Sequence, residues 1–155
     1  MSHLQVESSC CHWSLKKFAQ FHIFTYLHSS NQKNLTTMND NILSHKSFNY
    51  SLEIIDLYKQ LVDEKEYVMS KQLLRCGTSV GANIFEANYA FSAKDFVHKL
   101  TVSRKEANES IYWLRLLQFS QFLDDSQAEG LVKQCDEIMR ILTSSIKTAR
   151  KNSNL

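Results

Sequence analysis

The sequence predicts an all-α protein folded as an antiparallel up-down-up-down four-helix bundle. Three observations predict it. The 155 residues contain no proline and three glycines, whereas the tight turns and bulges of many-stranded folds use both residues heavily. Apolar residues recur at three and four along four long segments. The segments are separated by short polar breaks near residues 64, 91 and 124, and connections that short make successive helices antiparallel. A composition of 43% hydrophobic and 22% charged residues suits one globular domain with a real core.

Residues 1 to 37 stand apart. They hold Cys10 and Cys11, four of the six histidines (His3, His12, His22 and His28) and no sustained helical stripe. Lys16-Lys17 ahead of an apolar run from Phe18 to Leu27 faintly resembles a secretory signal. It begins too far into the chain, is interrupted by Gln20 and His22, and lacks a small-residue cleavage site. Met38 precedes a polar segment and the first convincing helix. The expectation is that the native chain starts at Met38, with residues 1–37 a disordered leader or non-native extension and residues 38–155 the bundle.

The first helix is expected over about 47–63, with Ser47 as its N-cap and Phe48, Leu52, Ile55, Tyr58, Leu61 and Val62 as its apolar face. Asp63-Glu64-Lys65 makes the turn to a second helix over about 66–90, striped by Met69, Leu73, Cys76, Val80, Ile84 and Ala87. Gly77 and Gly81 lie within it. Each costs about 1 kcal/mol against alanine in a helix interior, which implies close approach of a neighbouring backbone. Ser92 and Asp95 have the spacing of a capping box that opens a third helix over 93–120. Its seam is Phe96, Leu100, Ser103, Ala107, Ile111, Leu114 and Gln118, with small residues in the middle. Ser126 and Glu129 form a second such box before a fourth helix over 127–150. That helix has the widest stripe: Ala128, Leu131, Val132, Cys135, Ile138, Met139, Leu142, Ile146 and Ala149.

Helices two and three also carry apolar residues off their stripes. Leu74, Phe85, Phe91, Val97, Tyr112, Trp113, Leu116 and Phe119 exceed what one stripe per helix absorbs. All but Val97 are therefore read as a candidate oligomer interface.

Charge narrows the function. Residues 1–37 carry Lys16, Lys17 and Lys33 against Glu7, so the formal net charge of +2 resides there and the remaining 15 basic and 15 acidic residues cancel. A neutral body argues against strong nonspecific nucleic-acid binding, which draws on Lys and Arg. A local patch is the exception: Arg140, Lys147, Arg150 and Lys151 close the chain with no acidic neighbour. They complement the dipole of a helix end or offer a surface to RNA. Cys76 and Cys135 fall on apolar stripes and read as core residues. With no secretory signal, they indicate a reducing cytoplasm. No stretch is long and apolar enough to span a membrane. No Gly-rich phosphate loop, zinc-ligand spacing or zincin motif occurs, so no catalytic residue, metal, cofactor or small-molecule substrate is assigned.

The run Ser79-Val80-Gly81-Ala82-Asn83-Ile84-Phe85-Glu86, followed by Ser92, Asp95 and Phe96 and by Glu106-Ala107-Asn108-Glu109-Ser110 ahead of Trp113-Leu114, resembles the bacterial 23S rRNA intervening-sequence protein family, an S23 ribosomal-protein-like group. The resemblance covers about residues 46 to 148. Ser79, Val80, Ala82, Asn83, Ile84 and Glu86 match its helix-two motif, whereas Phe85 and Ala87 stand where the family has a small residue and a glycine. It implies a four-helix bundle without known enzymatic activity, and a homo-oligomer, in some members a pentameric ring. A related branch is a basic nucleic-acid-binding accessory factor for retroelements, from which this neutral body departs.

Asn83 and Glu86 are expected to be structural. The amide would set helix register through a partner on helix three (Ser103, Asn108 or Glu109) or through Arg75. The rival reading is an enzyme or metal-binding bundle using His98, Glu86, Glu106 and Glu109. Di-metal bundles carry Glu-x-x-His pairs on two helices, and the sequence has none.

Overall fold

The structure is a computed structural model that describes residues 42–154. The chain divides into the units Met1–Asp40 and Asn41–Leu155. The first unit lies outside the described residues, and with it the expectations about the leader, Cys10, Cys11, His12 and a start at Met38.

Four helices make the second unit: α1 (Ile42–Asp63), α2 (Met69–Ala87), α3 (Ala93–Phe119) and α4 (Asp125–Ser153), with no strand among the described residues. Each packs on the next in the chain, α4 returns to α1, and the diagonal α1–α3 pair meets through side chains at the centre rather than by backbone packing. The contacts run antiparallel throughout. Ser47 and Ile54 of α1 lie beside Gly81 and Gly77 of α2. Val80 and Arg75 of α2 meet Ser103 and Glu106 of α3. Ala107 and Arg115 of α3 meet Cys135 and Glu129 of α4. Glu53 and Gln60 of α1 meet Gln134 and Gln127 of α4. The up-down-up-down order follows from those pairings.

The helix ends show which sequence signals win. Ser92 accepts from the Asp95 amide at 3.1 Å, as the capping box requires, while the Asp95 carboxylate reaches back to the Phe91 amide at 3.3 Å. The second expected box does not form. Asp124 caps α4 by accepting from the Gln127 amide at 2.9 Å, and Glu129 is drawn instead to Arg115. A carboxylate two residues upstream of Ser126 offers a stronger, charged acceptor to the same helix end.

Ser47 is likewise not a cap. It sits inside α1, buried, and donates to the Ser44 carbonyl at 3.0 Å, so α1 begins five residues earlier than expected. Lys65 takes a left-handed φ of 66° in the α1–α2 turn. Glu66, expected to start the second helix, is buried and folds its carboxylate over the amides of Val68 and Met69, both at 2.9 Å, and Ser70 at 2.5 Å. Three free amides at a helix start attract an anion, and Glu66 supplies it from within the chain.

The stripes of α2, α3 and α4 bury largely as expected, with Leu73, Val80, Ile84, Leu100, Ala107, Leu114, Leu131, Ile138, Leu142 and Ile146 among the core. Val97, read as off the stripe, is buried, whereas Phe96 packs partly against the core. The phase of α1 differs. Its buried line is Leu43, Ser44, Ser47, Tyr50, Ile54, Leu57 and Leu61, while Phe48 and Leu52 are each 46% exposed. Of the expected α1 stripe only Leu61 is fully buried.

Candidate functional site

The segment Ser79 to Glu86 lies on α2 against both α1 and α3, and its glycines explain the closeness of the α1–α2 pair. A Cβ on Gly77 would stand 2.9 Å from both Cγ atoms of Ile54, and one on Gly81 would stand 2.9 Å from Ser51 Oγ and 3.3 Å from the Ser47 carbonyl. Ser51 Oγ spans the gap, donating to Ser47 O at 2.9 Å and lying 3.4 Å from Gly77 O. Small side chains on α1 face missing side chains on α2. Val80 and Ile84 bury in the core, Ala82 is exposed, and Ser79 and Asn83 are half-buried.

Asn83 does not do what the sequence suggested. Its Nδ2 donates to the Ser79 carbonyl in its own helix at 2.8 Å, with no partner on α3 among the described residues. Register is held by other groups. Ser103 Oγ donates across to the Val80 carbonyl at 2.9 Å, and Cys135 Sγ reaches the Ala107 carbonyl at 3.3 Å. Tyr50 Oη and Ser110 Oγ, on the diagonal helices α1 and α3, lie 2.6 Å apart in the fully buried centre. Burial pushes the Tyr50 phenol well above its ordinary value. It lifts the Cys76 thiol to about 11 and the Cys135 thiol to about 12, so both stay protonated at neutral pH and are poor nucleophiles.

The carboxylates of the rival enzyme reading are engaged. Glu86 pairs with Lys99. Glu106 and Glu109 share Arg75, and Glu109 also accepts from the Trp113 indole at 3.3 Å. The hydrogen bond from Arg75 leads the influences that hold the Glu109 carboxyl below its usual range. His98 is exposed. Among the described residues no three His, Cys, Asp or Glu side chains gather in a way that could hold a metal ion, and no helix is long and apolar enough to cross a membrane.

The residues expected at an oligomer interface scatter over the surface. Leu74 and Trp113 pack partly against the core, and Leu116 is half-buried. Phe85, Phe91, Tyr112 and Phe119 are exposed, Phe91 completely so in the α2–α3 turn. Two apolar residues assigned from sequence to the core join the exposed set. Phe48 and Leu52 each follow by one residue the serines that pack on Gly81, which places them about 100° further round α1. Phe85, one turn beyond Gly81, borders the same groove from α2, and its ring lies tilted against that of Tyr89 at a centroid distance of 5.5 Å. An apolar rim thus flanks the tight α1–α2 contact. Its sequence signal was present as a second apolar stripe on α1.

Arg140, Lys147, Arg150 and Lys151 are all exposed on α4. Arg140 and Lys147 line an open depression with Asp136, Met139, Thr143 and Ser144. A second depression, of about 650 Å³, shares Met139 and is lined by Arg104, Lys105, Asn108, Glu109 and Tyr112 of α3. The sequence reading missed the α3 half of this surface, because Arg104 and Lys105 are followed directly by Glu106 and then Glu109 and do not stand out as a basic run along the chain.

Comparison with known proteins places this architecture. The family model described as 23S rRNA-intervening sequence protein matches residues 39–144. A crystal structure from Bacteroides thetaiotaomicron VPI-5482, of a protein with unknown function from the S23 ribosomal protein family, is 47% identical. The match covers 68% of this chain and 99% of that one, with a TM-score of 0.68. No curated protein matches.

Proposed function

The chain belongs to the 23S rRNA-intervening sequence protein family, and on that premise we propose that it is a noncatalytic, self-associating helical scaffold. The observation that carries the reading is the apolar rim of the α1–α2 groove, where Phe48, Leu52 and Phe85 are 46%, 46% and 48% exposed around a rigid, glycine-closed contact. Large apolar side chains on well-packed helices gain from being covered by a partner, and because each is already about half-buried, covering the rest contributes roughly half of the 1.5–3 kcal/mol of a full burial. The noncatalytic part rests on the chemistry left over: Glu66 caps a helix, Glu86, Glu106 and Glu109 pair with cations, and the thiols of Cys76 and Cys135 are buried and protonated.

A second copy of the chain is the partner proposed. Contact between two different patches closes into a ring when the rotation between copies allows it, and the pentamer implied by the resemblance is such a closed form. Light scattering coupled to size exclusion on the full chain tests this. The expected mass is several times the 18.0 kDa of one chain, with Leu52→Glu giving monomers of unchanged helicity. A wild-type monomer at micromolar concentration would overturn the proposal.

A further inference from the structure

The outer face between α3 and α4 carries cations that enter no ion pair among the described residues. The ion pairs of the described residues take up Lys46, Lys59, Arg75, Lys99 and Arg115. Arg104, Lys105, Arg140, Lys147 and Lys151 are exposed and enter none of them. Helical spacing gathers them. On α3, His98, Lys105 and Tyr112 stand seven apart, as do Lys133, Arg140 and Lys147 on α4, so each set forms a line about 10.5 Å per step along one side of its helix. Met139 lies in both depressions, which sets Arg104, Lys105 and Tyr112 of α3 and Arg140 and Lys147 of α4 along one continuous surface.

Three carboxylates lie on this face. Glu109 is already held by Arg75 and Trp113, Glu129 is held by Arg115, and Asp136 acts on Arg115 and lines the same depression as Arg140. The neutral total of residues 38–155 therefore conceals a segregated charge, positive along this groove. Tyr112 stands at its α3 edge, 58% exposed and set edge-on to Trp113 at a centroid distance of 5.3 Å. Fixed cations in a line, an exposed aromatic ring and an amide donor at Asn108 are the groups that hold a phosphate backbone and stack its bases.

We infer that the α3–α4 groove binds single-stranded nucleic acid, through Arg104, Lys105, Arg140 and Lys147 on the phosphates and Tyr112 on a base. The site lies on different helices from the α1–α2 rim.

The test is fluorescence polarisation of a labelled oligouridylate against the full chain over a range of salt. Wild type is expected to bind at low salt, with log affinity falling against log salt by about 0.7 per phosphate neutralised. Arg140→Glu with Lys147→Glu should lower affinity at least tenfold and flatten that slope. Lys65→Glu with Lys71→Glu, exposed residues elsewhere with the same change in net charge, should leave both nearly unchanged. Tyr112→Ala should lower affinity about tenfold without altering the slope. Equal losses from the two double variants, a slope near zero, or no effect of Tyr112→Ala would overturn the inference. Circular dichroism of each exposed-site variant checks that it still folds.

Discussion

Replacing Gly77 by alanine sets two magnitudes against each other. Helix propensity favours alanine by about 1 kcal/mol. The new methyl would lie 2.9 Å from Cγ1 and Cγ2 of Ile54 and 3.3 Å from its Cβ, well inside the usual carbon–carbon separation of about 3.5–4.0 Å. Ile54 is fully buried and branched at the contacted atom, so it has little room to turn away. Overpacking of this kind costs about 1–3 kcal/mol, and the expected net effect is a destabilisation of about 1 kcal/mol, or a few degrees in Tm. Gly130 provides the opposite case, because a Cβ there meets nothing within 4 Å; Gly130→Ala should stabilise by up to about 1 kcal/mol. Urea denaturation at one fixed protein concentration reads both. A double-mutant cycle with Ile54→Ala should then show coupling of about 2 kcal/mol, since removing both Cγ atoms removes the overlap. If Gly77→Ala raises stability as Gly130→Ala does, or the cycle is additive, the close-approach argument fails.

The other predictions concern the helix ends and the buried centre. Asp124→Ala should cost about 1 kcal/mol as a lost cap, and Ser126→Ala under about 0.5, a contrast that calorimetry resolves. For Glu66, burial acts to raise the carboxyl, but the amides of Met69, Ser70 and Val68 outweigh it and hold the group below its ordinary 4.5. A folded value below the unfolded one means that its stabilisation is present above pH 4.5 and lost as pH falls through the folded value. Tm should therefore decline in acid with a component that Glu66→Gln removes, and an unchanged acid profile in that variant would refute the capping role. Tyr50→Phe deletes the 2.6 Å hydrogen bond to buried Ser110 and should cost about 1–2 kcal/mol in chemical denaturation.

The four helices were legible because burial on α2 and α4 largely follows one stripe per helix, and the α3 seam holds at Leu100, Ser103, Ala107 and Leu114 although Val97, Ser110 and Leu117 are buried beside it. On α1 two stripes compete about 100° apart. One contains Phe48, Leu52, Ile55 and Val62; the other contains Ser47, Tyr50, Ile54 and Leu57, and hydropathy alone prefers the first. Packing prefers the second. The α2 surface that meets α1 lacks side chains at Gly77 and Gly81, and only a helix edge with Ser47 and Ser51 can approach it closely enough to bring Ile54 and Tyr50 into the core. The glycines signal close approach in the sequence, but hydropathy carries no sign that serines are their partners. That complementarity between small residues on one helix and glycines on the next fixes the α1 phase, and the phase turns Phe48 and Leu52 outward.

The same logic separates the two candidate surfaces. Asn83 looked like a register device because an amide near a buried stripe needs a partner, but a carbonyl one turn back, at Ser79, satisfies it without involving another helix. Interhelical register falls instead to Ser103 and Ser110, small hydroxyls that sequence patterning treats as gaps in a seam. With register fixed inside the bundle, neither the apolar rim at Phe48, Leu52 and Phe85 nor the cations at Arg104, Lys105, Arg140 and Lys147 is needed to hold the helices together. Charge reversal at Arg140 and Lys147 should consequently leave oligomer mass unchanged, while Leu52→Glu should abolish it. A ring that dissociates on charge reversal would show that the α3–α4 groove packs against another subunit and would remove it as a surface for nucleic acid.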